Sequence, residues 1–283
     1  MTLKNIQELY QETLKDLYPI SEIDSLFYLV AEKLLKQDKI HLQFSKNDLL
    51  KDEESKKFQQ VLSDLKTSKP IQYILEEAYF YDLHLYVNEH VLIPRFETEE
   101  LVEWILERVK DKEIQSILDI GTGSGCIPLA LKNSLPQVEI FGMDVSEEAL
   151  KVARINARKN DLFIHWVLQD ILILEDWGLT EKLDIIVSNP PYIPFDEKKL
   201  MSANVLDYEP PLALFVEDKN PLIFYERIAY FALKHLKEGG FLFFEMNEFN
   251  AQRVKSMLKD KGFSKVFVKK DINEKERMIL GIK

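Results

Sequence analysis

The chain has 283 residues, of which 46% are hydrophobic and 30% charged, an ordinary globular balance for one large domain or two that excludes wholesale disorder. With 37 Lys and Arg against 48 Asp and Glu, the net charge is −11, so a basic coat for gripping phosphate backbones is absent and direct nucleic-acid binding is not expected. A single cysteine, Cys126, excludes an intrachain disulfide, and five scattered histidines offer no metal-ligand spacing, so no metal is expected. The amino terminus lacks a basic segment followed by an apolar run, and no apolar stretch is long enough to span a bilayer. The expectation is a soluble cytoplasmic protein with no membrane partner.

The first residues read as helices. Leu3, Ile6, Leu9, Tyr10, Leu14 and Leu17 recur at helical spacing, and Pro19 ends that segment. Ser21 is expected to cap a second helix with the stripe Ile23, Leu26, Phe27, Val30, Ala31 and Leu34. Phe58, Val61, Leu62 and Leu65 mark a third. Residues 1–75 are therefore expected to form a helical bundle. From Tyr79 to Ile93 aromatic and β-branched residues alternate with polar ones, which predicts a hairpin linker over 76–93 with its turn near Asn88. Pro94-Arg95 then leads into a helix carrying Leu101, Val102, Ile105, Leu106 and Val109.

Beyond Asp111, strands and helices alternate. Ile114–Ile120, Val138–Met143, Phe163–Leu168, Leu183–Ser188 and Phe241–Met246 are predicted strands, with Ser264–Val268 and Arg277–Ile282 closing the sheet. Helices are expected up to Leu131, from a Ser146 cap to Asn156, from Pro221 to Leu236 with a stop at Gly239-Gly240, and up to Gly262. This alternation means α/β architecture, a doubly wound and mainly parallel sheet over 94–283.

Two loops carry the chemistry. The first is Asp119-Ile120-Gly121-Thr122-Gly123-Ser124-Gly125, a strand entering a glycine turn that opens a helix, where the backbone can approach a ligand closely. Its spacing differs from the pattern that seats a dinucleotide pyrophosphate, which disfavours a nicotinamide dehydrogenase. Asp144, ending the next strand, can accept hydrogen bonds from both hydroxyls of an adenosine ribose. Asp170 is expected beside an adenine edge, with Ile171 as an apolar face. A ribose-binding acid without a basic partner suits S-adenosylmethionine, which has adenosine but no phosphates, and Asp119 is placed to help hold its ammonium group. Cys126 is expected to be a packing residue.

The second loop is Asn189-Pro190-Pro191-Tyr192, at the end of the fourth strand and so at the same edge of the sheet. Asn189 offers a side-chain carbonyl, Pro190 a backbone carbonyl and Tyr192 a flat face, together a holder for a planar –NH2 group. Arg95 is expected either on the cofactor carboxylate or in an ion pair with a neighbouring glutamate. Phe224, Tyr225, Phe231, Phe241, Phe243 and Phe244 read as packing.

With these two loops at one sheet edge, the chain resembles the HemK-like protein-(glutamine-N(5)) methyltransferases that modify peptide chain release factors. The likeness extends through Pro70-Ile71-Gln72-Tyr73-Ile74, Val91 to Glu99, Tyr208-Glu209-Pro210-Pro211-Leu212-Ala213-Leu214 and Arg277 to Gly281. It implies a class I (Rossmann-like) S-adenosylmethionine-dependent methyltransferase domain behind a helical domain that docks the substrate. The substrate implied is the glutamine of the Gly-Gly-Gln loop in a class I release factor. Gly121, Thr122, Gly123, Ser124, Gly125, Asp144, Ile171 and Asn189 would line the cofactor site, with Pro94 to Thr98 bordering it. Asn189, Pro190, Pro191 and Tyr192 would hold the glutamine. Phe96 stands where the family commonly has proline, Glu76, Glu77 and Asp82 where glycines are usual, and Met246-Asn247 where a glycine is common. Alternative readings are a methyltransferase for the exocyclic amine of adenine, one for a glutamine of another translation protein, and a non-catalytic cofactor-binding protein.

Overall fold

The computed structural model describes residues 1–283 apart from 175–177, 179, 180, 202 and 218. The chain divides into two compact units, Met1–Glu77 with a short segment ending at Tyr208, and the remainder from Ala78.

The first unit is helical: α1 (Leu3–Leu14), α2 (Ile20–Leu35), α3 (Lys39–Phe44), α4 (Asp52–Leu65) and α5 (Ile71–Leu75). The apolar stripes close on one core, with Leu3, Ile6, Tyr10 and Leu14 of α1 against Phe27 and Val30 of α2 and Phe58 and Leu62 of α4. Tyr10, fully buried, donates its hydroxyl to the Phe58 carbonyl at 2.8 Å, which satisfies the one polar atom it carries into that core. Leu17, expected on the stripe, lies past the end of α1 and is half exposed. Ser21 is not a cap. Pro19 holds the N-cap position in extended backbone and its carbonyl already receives the Glu22 and Ile23 N–H groups, so the helix begins two residues earlier. The Tyr208 hydroxyl donates to the Thr67 carbonyl at 2.9 Å within this unit.

The second unit starts with a hairpin of β1 (Ala78–Phe80) and β2 (Leu83–Leu85), whose turn is at Tyr81-Asp82 and not near Asn88. Both turn residues have positive φ, 47° and 63°, the geometry that matches the twist of a two-residue hairpin. Asn88 instead makes a local turn, its side chain accepting from the His90 N–H at 3.1 Å.

There follow α6 (Phe96–Val109), β3 (Ser116–Ile120), α7 (Cys126–Ser134), β4 (Glu139–Asp144), α8 (Glu147–Lys159), β5 (His165–Leu168), β6 (Leu183–Ser188) and β7 (Ile193–Pro194). After α9 (Ala203–Leu206), which groups with the helical unit, come α10 (Pro211–Leu214), β8 (Phe215–Val216), α11 (Ile223–His235), β9 (Leu236–Glu245), α12 (Ala251–Asp260), β10 (Lys265–Lys270) and β11 (Glu276–Ile282). Among the described residues, seven strands form one sheet in the order β10-β11-β9-β6-β3-β4-β5. The pairs from β9 to β5 are parallel, whereas β11 runs antiparallel to both its neighbours. This is the doubly wound sheet expected.

Gly239 and Gly240 do not stop a helix. α11 ends at His235 and the two glycines lie inside β9, where the register against β6 shifts between the Leu183–Leu236 and Ile185–Phe241 pairs. Alternate strand residues feed two cores, Ile117, Ile185 and Phe243 on the face covered by α6 and α7, Leu118, Ile186 and Phe244 on the face covered by α11 and α12. Burial on both faces fixes the register, and the register fixes which strand ends meet.

Candidate functional site

β3 and β6 are neighbours, with β4 beyond one and β9 beyond the other, so the strand order reverses between them and their carboxyl ends open a crevice. The glycine loop leaves β3 and the Asn-Pro-Pro-Tyr loop leaves β6. Ser188, fully buried at the end of β6, donates its hydroxyl to the Ile120 carbonyl at 2.6 Å and ties the two strand ends together.

The N–H groups of Gly121 and Thr122 both donate to the Met143 carbonyl at 2.9 Å, which anchors the glycine loop to β4. Gly125 must be glycine on two counts. Its φ is +80°, and a Cβ there would stand 2.9 Å from the Trp166 ring and 3.2 Å from Ala153. The Asp144 carboxylate accepts from the Gly123 N–H at 2.8 Å with one oxygen and from the Ser146 N–H at 2.9 Å with the other. Each oxygen keeps a further lone pair, so the side chain both shapes the loop and remains an acceptor. Burial raises its carboxyl above the ordinary value. Asp170 holds a turn in the same way, accepting from the Leu172 N–H at 2.8 Å.

A cavity of about 260 Å³ lies against these loops. Of the predicted residues, Gly121, Thr122, Gly123, Ser124, Asp144, Asp170, Ile171, Asn189, Pro190 and Pro191 line it, and Pro94, Arg95 and Thr98 border it. Asp119, Gly125 and Tyr192 are not among its lining residues. Phe224 lines the cavity as well as packing on the core, which corrects its reading as packing alone. Cys126 is only partly buried and also lines the cavity, with burial of the thiol pushing it up to about 12, a poor nucleophile.

Asp119 is fully buried, and neither of its oxygens has a hydrogen-bond partner among the described residues. Burial pushes its carboxyl up to about 7, with the nearby Thr122 hydroxyl opposing and Asp144 adding to the rise. An orphaned buried acid behind a glycine loop is costly unless a cationic group comes to it, and the ammonium of an amino-acid-bearing cofactor fits that need. At Gly121 and Gly123 a Cβ would meet nothing within 4 Å, so the loop presents open backbone toward its surroundings.

Behind Asn189 lies a buried polar network absent from the sequence reading. Asn189 Nδ2 donates to Thr98 Oγ1 at 3.3 Å, and the Thr98 hydroxyl donates to Glu245 Oε2 at 2.6 Å. The Tyr192 hydroxyl donates to Glu245 Oε1 at 3.3 Å. Burial pushes the Glu245 carboxyl up to about 7, with Thr98 and the charge of Arg277 opposing. Nothing in the sequence joins Thr98 to Glu245, since they meet only because α6 packs on β9. Arg95 likewise ignores the glutamates next to it and pairs with Glu209, which is buried and also accepts from the Ile93 N–H at 3.3 Å. Among the described residues no cluster of three or more His, Cys, Asp or Glu could hold a metal ion, and no helix is long and apolar enough to cross a membrane.

Residues 7–75 match the family model described as the PrmC N-terminal domain, and residues 99–207 match that of the methyltransferase small domain. A release factor glutamine methyltransferase from Flavobacterium psychrophilum is 43% identical over 282 residues, covering 99% of this chain and 98% of the relative. One from Bacteroides thetaiotaomicron is 38% identical, covering 98% and 99%. Among solved structures, a human methyltransferase 10 domain containing protein superposes with a TM-score of 0.53 at 18% identity, over 72% of this chain and 90% of that one. A methyltransferase from Pyrococcus furiosus gives 0.51 at 16% identity, over 71% and 89%. These two carry the fold of the class I methyltransferase sheet, and the helical unit before it is the part matched by the PrmC N-terminal domain. Full-length identity with the curated relatives carries more, and this chain belongs to the release factor glutamine methyltransferase family.

Proposed function

We propose that this enzyme transfers a methyl group from S-adenosylmethionine to the side-chain nitrogen of the glutamine in the Gly-Gly-Gln loop of class I release factors. The observation that carries the reading is the shared cavity, in which Asn189 and Pro190 stand beside the glycine loop at the point where the strand order reverses. The cofactor supplies an electrophilic methyl carbon. The backbone of Gly121 to Ser124, the Asp144 carboxylate and Ile171 are read as its holders, with Asp119 receiving its ammonium group and Asp170 beside the adenine.

An amide nitrogen is a weak nucleophile because its lone pair is delocalised into the carbonyl. Two acceptors, Asn189 Oδ1 and the Pro190 carbonyl, take its two N–H groups, hold the nitrogen in place and raise its electron density. Pro191 stiffens the loop, and Tyr192, anchored on Glu245, supports it from behind. Placement of nitrogen against the methyl is the main demand, and held geometry of this kind removes on the order of 7 kcal/mol or more from a barrier. With the methyl supplied by the cofactor, the part of Asn189 and Pro190 would be to keep the amide nitrogen aimed at it and to leave the surplus proton on nitrogen free to pass to water.

The helical unit Met1–Glu77 is read as the surface that receives the release factor, and the site of action as the cytoplasm, where such factors work. Mass spectrometry of a purified release factor after incubation with enzyme and cofactor tests the reading. One added methyl on the Gly-Gly-Gln glutamine is expected. A methyl on another residue, or none, rejects it.

A further inference from the structure

An asparagine amide has two ends of nearly the same shape and opposite chemistry. If Asn189 accepts from a substrate N–H, its Oδ1 must face the cavity and its Nδ2 must face away, and rotation by half a turn would put a donor against a donor. Some group must make that choice. A hydroxyl alone cannot, because it donates and accepts equally well.

In this chain the hydroxyl is committed. Thr98, 3% exposed and in the first turn of α6, lies 2.6 Å from Glu245 Oε2 at the end of β9. Its one proton is spent on that carboxylate oxygen, so only lone pairs are left for Asn189, and Nδ2 approaches them at 3.3 Å. Glu245 is 2% exposed and meets the Tyr192 hydroxyl at 3.3 Å with Oε1. While the carboxyl is ionised both of its oxygens accept, Oε1 from Tyr192 and Oε2 from Thr98. The chain of three groups runs in one direction, from the Asn189 donor through the Thr98 hydroxyl to Glu245.

We propose that Thr98, committed by Glu245, is the positioning residue that fixes the Asn189 amide with its carbonyl toward the substrate nitrogen. This rests on the reading of Asn189 as half of the amide clamp. It assigns Thr98 and Glu245 no contact with the reacting atoms. The three residues come from the first turn of one helix and the ends of two strands, so the orientation is built into the packing of α6 on the sheet.

A double-mutant cycle tests the coupling. Methylation of intact release factor is measured for the parent, Asn189→Ala, Thr98→Val and the double variant, with affinity for S-adenosylhomocysteine and thermal midpoint alongside. Thr98→Val keeps the shape and deletes the hydroxyl. It is expected to lower kcat tenfold to a hundredfold while product affinity stays within twofold, and Thr98→Ser is expected to restore most of the loss. The double variant should be no slower than Asn189→Ala, because a residue that acts only through Asn189 has nothing left to orient. Should Thr98→Val fail to fold, Thr98→Ala takes its place in the cycle. Parental kcat in Thr98→Val with Asn189→Ala inactive, or losses that simply multiply, overturns the inference and leaves the clamp standing. Parental activity in Asn189→Ala overturns the clamp, and the inference falls with it.

Discussion

The Asn156 side chain, with no exposure, donates from Nδ2 to the Ser124 carbonyl at 2.9 Å and so clips the glycine loop to α8. The same amide reaches the chain just after the hairpin. Nδ2 also donates to the Tyr86 carbonyl at 3.0 Å, and Oδ1 accepts from the Tyr86 N–H at 2.6 Å. One side chain thus satisfies three backbone groups on two segments far apart in sequence.

Asn156→Ala leaves those part-buried and buried groups without this partner. The expected cost is about 3 kcal/mol, at roughly 1–3 kcal/mol for each buried group stranded and with partial relaxation. Urea denaturation should show the loss as a lower midpoint, with affinity for S-adenosylhomocysteine weakened as well because the Ser124 carbonyl is freed. Parental values in both measurements would mean the clip is dispensable.

Gly121 and Gly125 should respond differently to alanine. Both have positive φ, +75° and +80°, but only at Gly125 does an added Cβ collide, with the Trp166 ring at 2.9 Å. Gly125→Ala is expected to lower the thermal midpoint of the cofactor-free enzyme further than Gly121→Ala, by several degrees for about 2 kcal/mol of added strain. Gly121→Ala should keep most of the stability and lose affinity for S-adenosylhomocysteine, since the added methyl faces the open side of the loop.

Asp119 makes the pH dependence specific. Its carboxyl loses a proton near 3.8 in the ordinary state and only at about 7 in the fold. Between those values the folded protein binds the extra proton, so this group lowers stability as pH rises through the window, and the penalty is complete above about 7. Asp119→Asn should therefore be more stable than the parent at pH 8, by up to roughly 4 kcal/mol, and no more stable near pH 4. Affinity for S-adenosylhomocysteine, which retains the ammonium, should fall at least tenfold in the variant. In the parent it should weaken as pH drops below about 7, where binding must expel the proton. Calorimetry in buffers of different ionisation enthalpy reads that proton directly.

Glu76 and Asp82 have φ of 53° and 63°, left-handed backbone that costs a residue with a Cβ about 1 kcal/mol. Glu76→Gly and Asp82→Gly are each expected to raise stability by roughly 0.5 kcal/mol, after the extra freedom glycine has in the unfolded chain is subtracted. Chemical denaturation of each single variant checks this, and a loss at either position would show that its side chain contributes more than the backbone strain removes.

The elements legible in the sequence were those with a long enough period. α1, α2, α4 and α6 follow their apolar stripes, α8 starts at its Ser146 cap, and β3, β4, β6 and β11 keep their expected bounds within a residue or two. Short pieces escaped: α3, α5, α10 and the β7–β8 pair have too few residues to display a period. The hairpin turn lies away from its expected place for a chemical reason. Tyr81-Asp82 lacks the glycine that signals a two-residue turn, while Asn88 resembles a turn residue and makes a different one.

What the sequence determined by itself was local: a glycine turn after Asp119, an acid at the end of the next strand, and two carbonyls beside two prolines. Each is a property of a few consecutive residues, so backbone geometry and side-chain chemistry could be read without a partner. What tertiary structure decided was which distant groups meet. Thr98 with Glu245, Arg95 with Glu209 and Asn156 with Tyr86 and Ser124 are pairings set by how helices pack on a sheet of fixed register. Their energies come from leaving water together, and no pattern along the chain records which buried polar group will find which.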